Sequence, residues 1–185
     1  MLEIAKTQKA CFRFTANQHV IISDVAASDK AAINQILEQY NVIKHTNSAS
    51  QIRKSAMACV ALPTCPLALA ESQRYLPSLI SKIERILNKH GLEKENIILR
   101  MTGCPNGCAR PYIAEIGLVG TALGKYNLHI GGDNQGLRLN KLYKENLEEA
   151  AILTELDHLF QEFKNERKEK ESFGDFVMRK ELVAG

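Results

Sequence analysis

The sequence has no tryptophan, and aromatic residues make up only 6% of its 185 positions, so any core must be built mainly from aliphatic side chains. It has no apolar run near the ~18 residues that a membrane-crossing helix needs. Its opening, Met1-Leu2-Glu3-Ile4, lacks the basic and then apolar plan of a secretory signal. Internal repeats and low-complexity tracts are also missing, which excludes solenoids, propellers and collagen-like rods. Neither sign of charge dominates: 24 Lys and Arg stand against 21 Asp and Glu, mixed along the chain, for a formal +3. That excess is too small to argue for a nucleic-acid partner. The expectation is a soluble cytoplasmic chain of about one domain, or one large and one partial domain, without nucleic-acid or membrane partners.

What is present is cysteine. There are five, and four of them form close pairs, Cys59 with Cys65 and Cys104 with Cys108. In a cytoplasmic chain of this size such pairs point to metal binding or redox chemistry rather than to disulfides. Cys11 stands alone in an apolar stretch and is expected to be a buried core residue.

A coarse reading places both pairs at turns. Residues 11 to 25 read as one strand carrying Phe12, Phe14, Val20, Ile21, Ile22 and Val25, with Asn17 and Gln18 putting amides in its middle. Ser28 and Asp29 then open a helix with Ile33, Ile36, Leu37 and Tyr40 at helical spacing, and Asn47-Ser48-Ala49-Ser50 reads as a loop. Leu62-Pro63-Thr64-Cys65-Pro66 is expected to launch a helix that Pro77 breaks or kinks. The pattern resumes with Leu79, Ile80, Ile83, Ile86 and Leu87, and Gly91 caps it. Ile97-Ile98-Leu99 reads as a short strand leading straight into Thr102-Gly103-Cys104-Pro105-Asn106-Gly107-Cys108. Strands follow over 113–120 and 126–130. A last amphipathic helix over 148–170 presents Ile152, Leu156, Leu159, Phe160 and Phe163 on one face, and its Lys/Glu-rich end reads as a solvated face.

Each pair therefore sits where the backbone turns, among prolines and small residues, and Gly103, Gly107 and Ala109 allow close approach of the chain to a ligand. A four-iron cluster needs four thiolates converging from different directions, with amides near its sulfides. Two other readings compete. Structural zinc favours ~2–4 residues between paired ligands, and the five-residue gap of the first pair lies outside that habit. Free buried cysteines are common, but two pairs flanked by proline are not their usual setting.

The segments ACVALPTCPLALAESQRYLP (58–77) and RMTGCPNGCARPYIAEIGLVG (100–120) closely resemble the paired cluster motifs of sirohaem-containing assimilatory sulfite reductases, and among them the haemoprotein (beta) subunits. FRFTANQHVIISDV upstream, and YNLHIGG, LYKENL and FGDF downstream, extend the resemblance over almost the whole chain. It implies an α+β fold with a mixed or antiparallel sheet and helices packed on it. Residues 51–185 would form the C-terminal cofactor-supporting domain of the nitrite/sulfite reductase fold, and residues 1–50 the end of a ferredoxin-like unit. The resemblance covers only the end of the family's second half, so the chain reads as a C-terminal fragment whose Met1 is not a native start. The family's basic sulfite-binding residues fall outside it, and the isolated chain is expected to be inactive.

By that resemblance Cys59, Cys65, Cys104 and Cys108 ligate one [4Fe–4S] cluster, and Cys108 also bridges to the iron of sirohaem. Asn106 is either a sirohaem contact or a turn residue tolerating left-handed geometry. Thr15, Asn17 and Gln18 match the family's polar strand facing the macrocycle. The implied reaction is six-electron reduction of sulfite to sulfide in cysteine biosynthesis. Its implied electron donor is NADPH through a flavoprotein (alpha) subunit, with ferredoxin as the less favoured donor. A sirohaem nitrite reductase and a non-catalytic iron–sulfur module are the alternatives. His19, His45, His90, His129 and His158 have no ligand spacing and read as surface or packing residues. Lys125, Arg138 and Arg53 read equally as partners of sirohaem carboxylates and as ordinary surface charge.

Overall fold

A computed structural model describes residues 1–133 and 135–183. The chain divides into two compact units, Met1–Ala49 and Ser50–Gly185. Among the described residues no helix is long and apolar enough to cross a membrane.

The first unit contains α1 (Leu2–Lys6), a hairpin of β1 (Cys11–Phe14) and β2 (Val20–Ser23), α2 (Lys30–Gln39) and α3 (Val42–Ser48). The expected single strand over 11–25 is thus two antiparallel strands, with Cys11 opposite Ser23 and Phe14 opposite Val20. The turn between them is made by side-chain chemistry. Thr15 Oγ1 accepts from the amides of Asn17 (3.3 Å) and His19 (3.1 Å), and Gln18 takes a left-handed φ of 62°. The two amide residues lie in that turn, not mid-strand. The expectation of a buried Cys11 is also overturned: it is exposed. A two-stranded ribbon has little to pack against here, and Ile4 and Ile33 are the fully buried apolar side chains among residues 1–49.

The second unit begins with α4 (Gln51–Ser55), capped by Ser50, whose Oγ accepts from the Arg53 amide at 3.2 Å. There follow β3 (Met57–Ala58), α5 (Leu76–His90), β4 (Leu99–Thr102), a 3-10 turn (Pro111–Ile113), β5 (Ile116–Ala122), β6 (Lys125–Ile130), β7 (Lys141–Leu147), α6 (Glu149–Glu166) and α7 (Phe173–Arg179). The five strands form one mixed sheet in the order β3-β4-β5-β6-β7, parallel from β3 to β5 and antiparallel from β5 to β7. Alternation along the strands sorts the faces. Leu99, Met101, Ile116, Leu118, Leu128 and Ile130 join the core with Leu79, Ile83 and Leu87 of α5 and Leu156, Phe160 and Phe163 of α6. Arg100, Gly117 and His129 lie in one row across the sheet and alternate with these core residues. The rings of Phe173 and Phe176 meet Phe163 edge-on at 5.6 and 5.3 Å and bind α7 to this core.

The helix expected from Pro66 does not form. Residues 59–75 run as turns because their amides donate elsewhere: Leu69 and Ala70 to the Gly103 carbonyl at 2.8 and 3.0 Å, and Gln73 to the Cys59 carbonyl at 3.1 Å. Pro77 consequently lies in the first turn of α5, where no amide donor is needed, and kinks nothing. Gly91 ends α5 with a φ of 65°, and the Leu92 amide reaches back to the Leu87 carbonyl at 2.8 Å. β4 starts at Leu99 rather than Ile97 because the Ile98 amide is taken by the Glu115 carboxylate at 2.9 Å. The Lys/Glu-rich stretch after α6 is partly ion-paired with other elements, as in Arg167–Glu95 and Arg179–Glu171, both 2.6 Å.

Candidate functional site

The parallel pairing of β3 with β4 decides where the cysteines go. Met57 pairs with Arg100 and Ala58 with Met101, so both strands deliver their C-terminal ends to the same edge of the sheet. Cys59 follows β3 directly and Cys104 follows β4 by two residues. Loops at that edge are the usual binding end of parallel strands. The Cys59 amide continues the ladder to the Met101 carbonyl at 3.2 Å, and the Gly103 amide points at Cys59 Sγ at 3.3 Å. An amide aimed at a sulfur favours its thiolate and is one of the ways proteins tune iron–sulfur centres.

The two loops are knitted flush. A Cβ on Gly103 would lie 2.5 Å from the Ala70 carbonyl oxygen and 2.6 Å from Ala61 Cβ, so only glycine fits at that crossing. Cys65 is held by its own turn, its amide donating to the Ala61 carbonyl at 2.8 Å. Arg74 braces that turn through the Leu62 carbonyl (2.9 Å) and Thr64 Oγ1 (3.3 Å). Ser72, fully buried, donates to the Met101 carbonyl at 2.7 Å.

In the second loop Cys104 is buried and Cys108 exposed, while Cys59 and Cys65 are half-buried; all are free thiols. Asn106 is exposed at the loop tip, and the left-handed residue there is Gly107, at φ 69°, rather than Asn106. Arg100 and Arg110 bring positive charge close to this loop: Arg100 Nη1 meets the Arg110 carbonyl at 3.4 Å, two residues past Cys108. Burial, and then the Arg110 guanidinium, lower the Arg100 pKa. Positive charge placed near cysteines stabilises thiolates and anionic clusters.

Among the described residues no three Cys, His, Asp or Glu side chains stand close enough to hold a single metal ion. A four-iron cube makes a different demand, since its thiolates sit at separate corners of a larger body. Four free thiols on two interlocked loops, with one amide already aimed at a sulfur, fit that donor set. Thr15, Asn17 and Gln18 lie in the first unit, on the hairpin turn, half-buried to exposed.

The other charged candidates have carboxylate partners: Arg53 with Glu84 at 2.7 Å, Lys125 with Glu148 at 3.7 Å, and Arg138 with Asp175 at 2.8 Å. His90 pairs with Asp157 at 2.7 Å, and half-buried His129 meets the edge of Tyr112 at 5.3 Å. Desolvation lowers the His129 pKa. Arg74, Ser72 and Tyr112 were not anticipated as supports. Arg100, the one charged residue in a buried strand next to the second pair, was the readable signal.

No family model matches the chain. Among solved structures, that of the Mycobacterium tuberculosis NirA protein superposes with a TM-score of 0.72 at 24% identity, covering 92% of this chain and 33% of the other. The architecture is therefore the α+β fold of the nitrite/sulfite reductase class. The sulfite reductase [NADPH] hemoprotein beta-component of Leptospira biflexa is 63% identical over 179 residues, which cover 97% of this chain and 32% of that protein. The Actinobacillus pleuropneumoniae serotype 5b protein of the same name is 52% identical over 184 residues, 100% of this chain and 31% of that protein. The recognition made on the cysteine motifs is borne out. The chain is a homologue of the sulfite reductase haemoprotein beta-components and spans about a third of the length of these relatives.

Proposed function

We propose that this chain supplies the iron–sulfur end of a sulfite reductase active site, in the cytoplasm, with residues 51–185 as the cofactor-supporting domain and residues 1–50 closing a ferredoxin-like unit. Cys59, Cys65, Cys104 and Cys108 would hold one [4Fe–4S] cluster, and Cys108 would serve sirohaem as well. The carrying observation is the parallel β3–β4 pair, which brings both cysteine loops to one edge of the sheet, with the Gly103 amide on Cys59 Sγ. When bound, the coupled cluster and sirohaem supply the one-electron steps that reduce sulfite to sulfide.

The chain's own residues perform the holding. Gly103 lets the two loops close on one another, and Arg74 fixes the turn that presents Cys65. Arg100 and Arg110 place positive charge beside the second loop, where it would complement an anionic cluster. Cys108, exposed at the end of its loop, is the thiol best placed to reach a second group, and exposed Asn106 is the neighbouring polar contact for it. Thr15, Asn17 and Gln18 offer polar groups to the macrocycle. Sulfite is the substrate, and the flavoprotein subunit implied by the relatives' NADPH-dependent name is the electron donor.

The test is an ultraviolet–visible spectrum of anaerobically purified protein, with iron, zinc and acid-labile sulfide assays on the same sample. About four irons and four sulfides per chain, as purified or after reconstitution, are expected from a [4Fe–4S] centre. Stoichiometric zinc without sulfide, or no cluster after reconstitution, overturns the assignment.

A further inference from the structure

Tyr112 lies four residues beyond Cys108, and three hydrogen bonds anchor its backbone and that of its neighbours. The Asn140 amide donates to the Tyr112 carbonyl at 2.7 Å, and Asn140 Nδ2 donates to the carbonyls of Pro111 (2.7 Å) and Ala114 (2.9 Å). Asn140 is buried, so these bonds are shielded from water. The ring of His129 meets the tyrosine ring edge-to-face, at 5.3 Å and 83°. From this fixed base the side chain reaches back over the cysteine loop. Its hydroxyl donates to the Pro105 carbonyl at 3.1 Å, and a Cβ on Gly107 would stand 3.1 Å from its Cε2. Pro105 follows Cys104, and Gly107 precedes Cys108. The loop's own closing bond, from the Gly107 amide to the Cys104 carbonyl, is long at 3.5 Å. Thr102 Oγ1 holds the Cys104 carbonyl at 3.1 Å and the Arg110 amide holds the Gly107 carbonyl at 2.7 Å, so the loop's ends are fixed locally and Tyr112 supports the Pro105–Gly107 tip between them.

We propose that Tyr112 is a positioning residue for the Cys104–Cys108 loop, holding the second thiol pair through the Pro105 carbonyl and the face of Gly107, with His129 and Asn140 as its anchors. The inference rests on the reading of these cysteines as [4Fe–4S] ligands and adds the residue that supports the loop between them. Burial, and then the neighbouring Cys104, raise the tyrosine pKa, so the hydroxyl remains a donor at neutral pH.

Three variants separate this role from general packing. Tyr112→Phe keeps the ring and deletes the bond to Pro105. Tyr112→Leu removes the ring as well. Tyr143→Phe deletes another partly buried hydroxyl, one bonded to Glu155 instead, and serves as the control. The first readout needs no cluster: iodoacetamide alkylation rates of each cysteine in reduced, metal-free protein, resolved by peptide mass spectrometry. Loss of one hydrogen bond predicts alkylation of Cys104 about fivefold faster in Tyr112→Phe, and faster again in Tyr112→Leu. Cys59 and Cys65 should be unchanged, and Tyr143→Phe should match the wild type. The second readout is the reconstituted protein: electron paramagnetic resonance of the reduced cluster shifts in Tyr112→Phe, and iron loss to a chelator runs about fivefold faster.

An unchanged Cys104 rate in both Tyr112 variants overturns the proposal, as does equal acceleration at every cysteine. If Cys104 alone accelerates but the wild type builds no cluster, the positioning role stands and the cluster reading falls. If the wild type builds a cluster that Tyr112→Phe leaves spectroscopically and kinetically unchanged, the positioning role falls alone.

Discussion

Glu115→Gln sets two large effects against each other at one fully buried carboxylate. In the native chain Glu115 Oε2 accepts from the Ile98 amide and Oε1 from the Gly174 amide, both at 2.9 Å, so one side chain ties the approach to β4 and the first turn of α7 to the head of β5. Glutamine has the same shape but only one acceptor oxygen, and its NH2 must face one of the two N–H groups. The loss is one charge-assisted bond, about 1.5–3 kcal/mol, together with a buried amide left unsatisfied, about 1–3 kcal/mol. Removing a buried charge returns part of this. We expect a net destabilisation of about 2 kcal/mol at neutral pH.

The pH dependence carries a second signature. Burial raises the Glu115 pKa above its ordinary value, against the opposing pull of the two amides. A raised acid pKa means that the folded state binds the proton more tightly than the unfolded one. The associated stability is fully present below the unfolded value and is lost as pH rises through the folded value. The gap between wild type and Glu115→Gln should therefore narrow from about pH 4 towards neutral. With no tryptophan available, urea unfolding is followed by far-ultraviolet circular dichroism. Equal or greater stability of the glutamine variant at neutral pH would refute the satisfaction argument, and a gap that widens with pH would refute the burial argument.

Gly103→Ala places a methyl 2.5 Å from the Ala70 carbonyl oxygen. It should lower stability by about 1–3 kcal/mol and cut iron uptake on reconstitution, measured by urea midpoint and iron assay. Cys104→Ser should abolish the cluster. Cys11→Ser, at an exposed position of the other unit, should leave iron content unchanged and stability within about 0.5 kcal/mol. Loss of iron in Cys11→Ser would disprove this ligand assignment.

Legibility in the sequence follows the range of the interactions. Where a segment's structure is set by its own periodicity or cap, it reads correctly: Ile152, Leu156, Leu159, Phe160 and Phe163 are all buried along α6, and Gly91 closes α5 in the left-handed conformation. α7 went unassigned although its signal is local: Ser172 and Asp175 have the spacing of a helix cap, and the Ser172 hydroxyl accepts from the Asp175 amide at 3.2 Å. β7 was not legible. It is an edge strand of exposed and half-buried residues with no run of apolar positions, and its place comes from pairing with β6. The hairpin turn at Thr15 hides inside an apolar stretch, because one hydroxyl bonding two amides leaves no periodicity to detect.

The site divides in the same way. Cysteine spacing alone puts the four thiols forward as the proposed donor set, because the thiols are themselves the chemistry. It misplaces their support, because the stretch after Pro66 spends its amides on Gly103 rather than on a helix of its own. The glycine that admits this crossing lies more than thirty residues downstream, in the second cysteine motif. The two motifs thus shape one another. The first loop is irregular because the second receives its hydrogen bonds, and the second can receive them because position 103 has no side chain. A substitution that regularised residues 66–75 into a helix would therefore disrupt both cysteine pairs while leaving every cysteine in place.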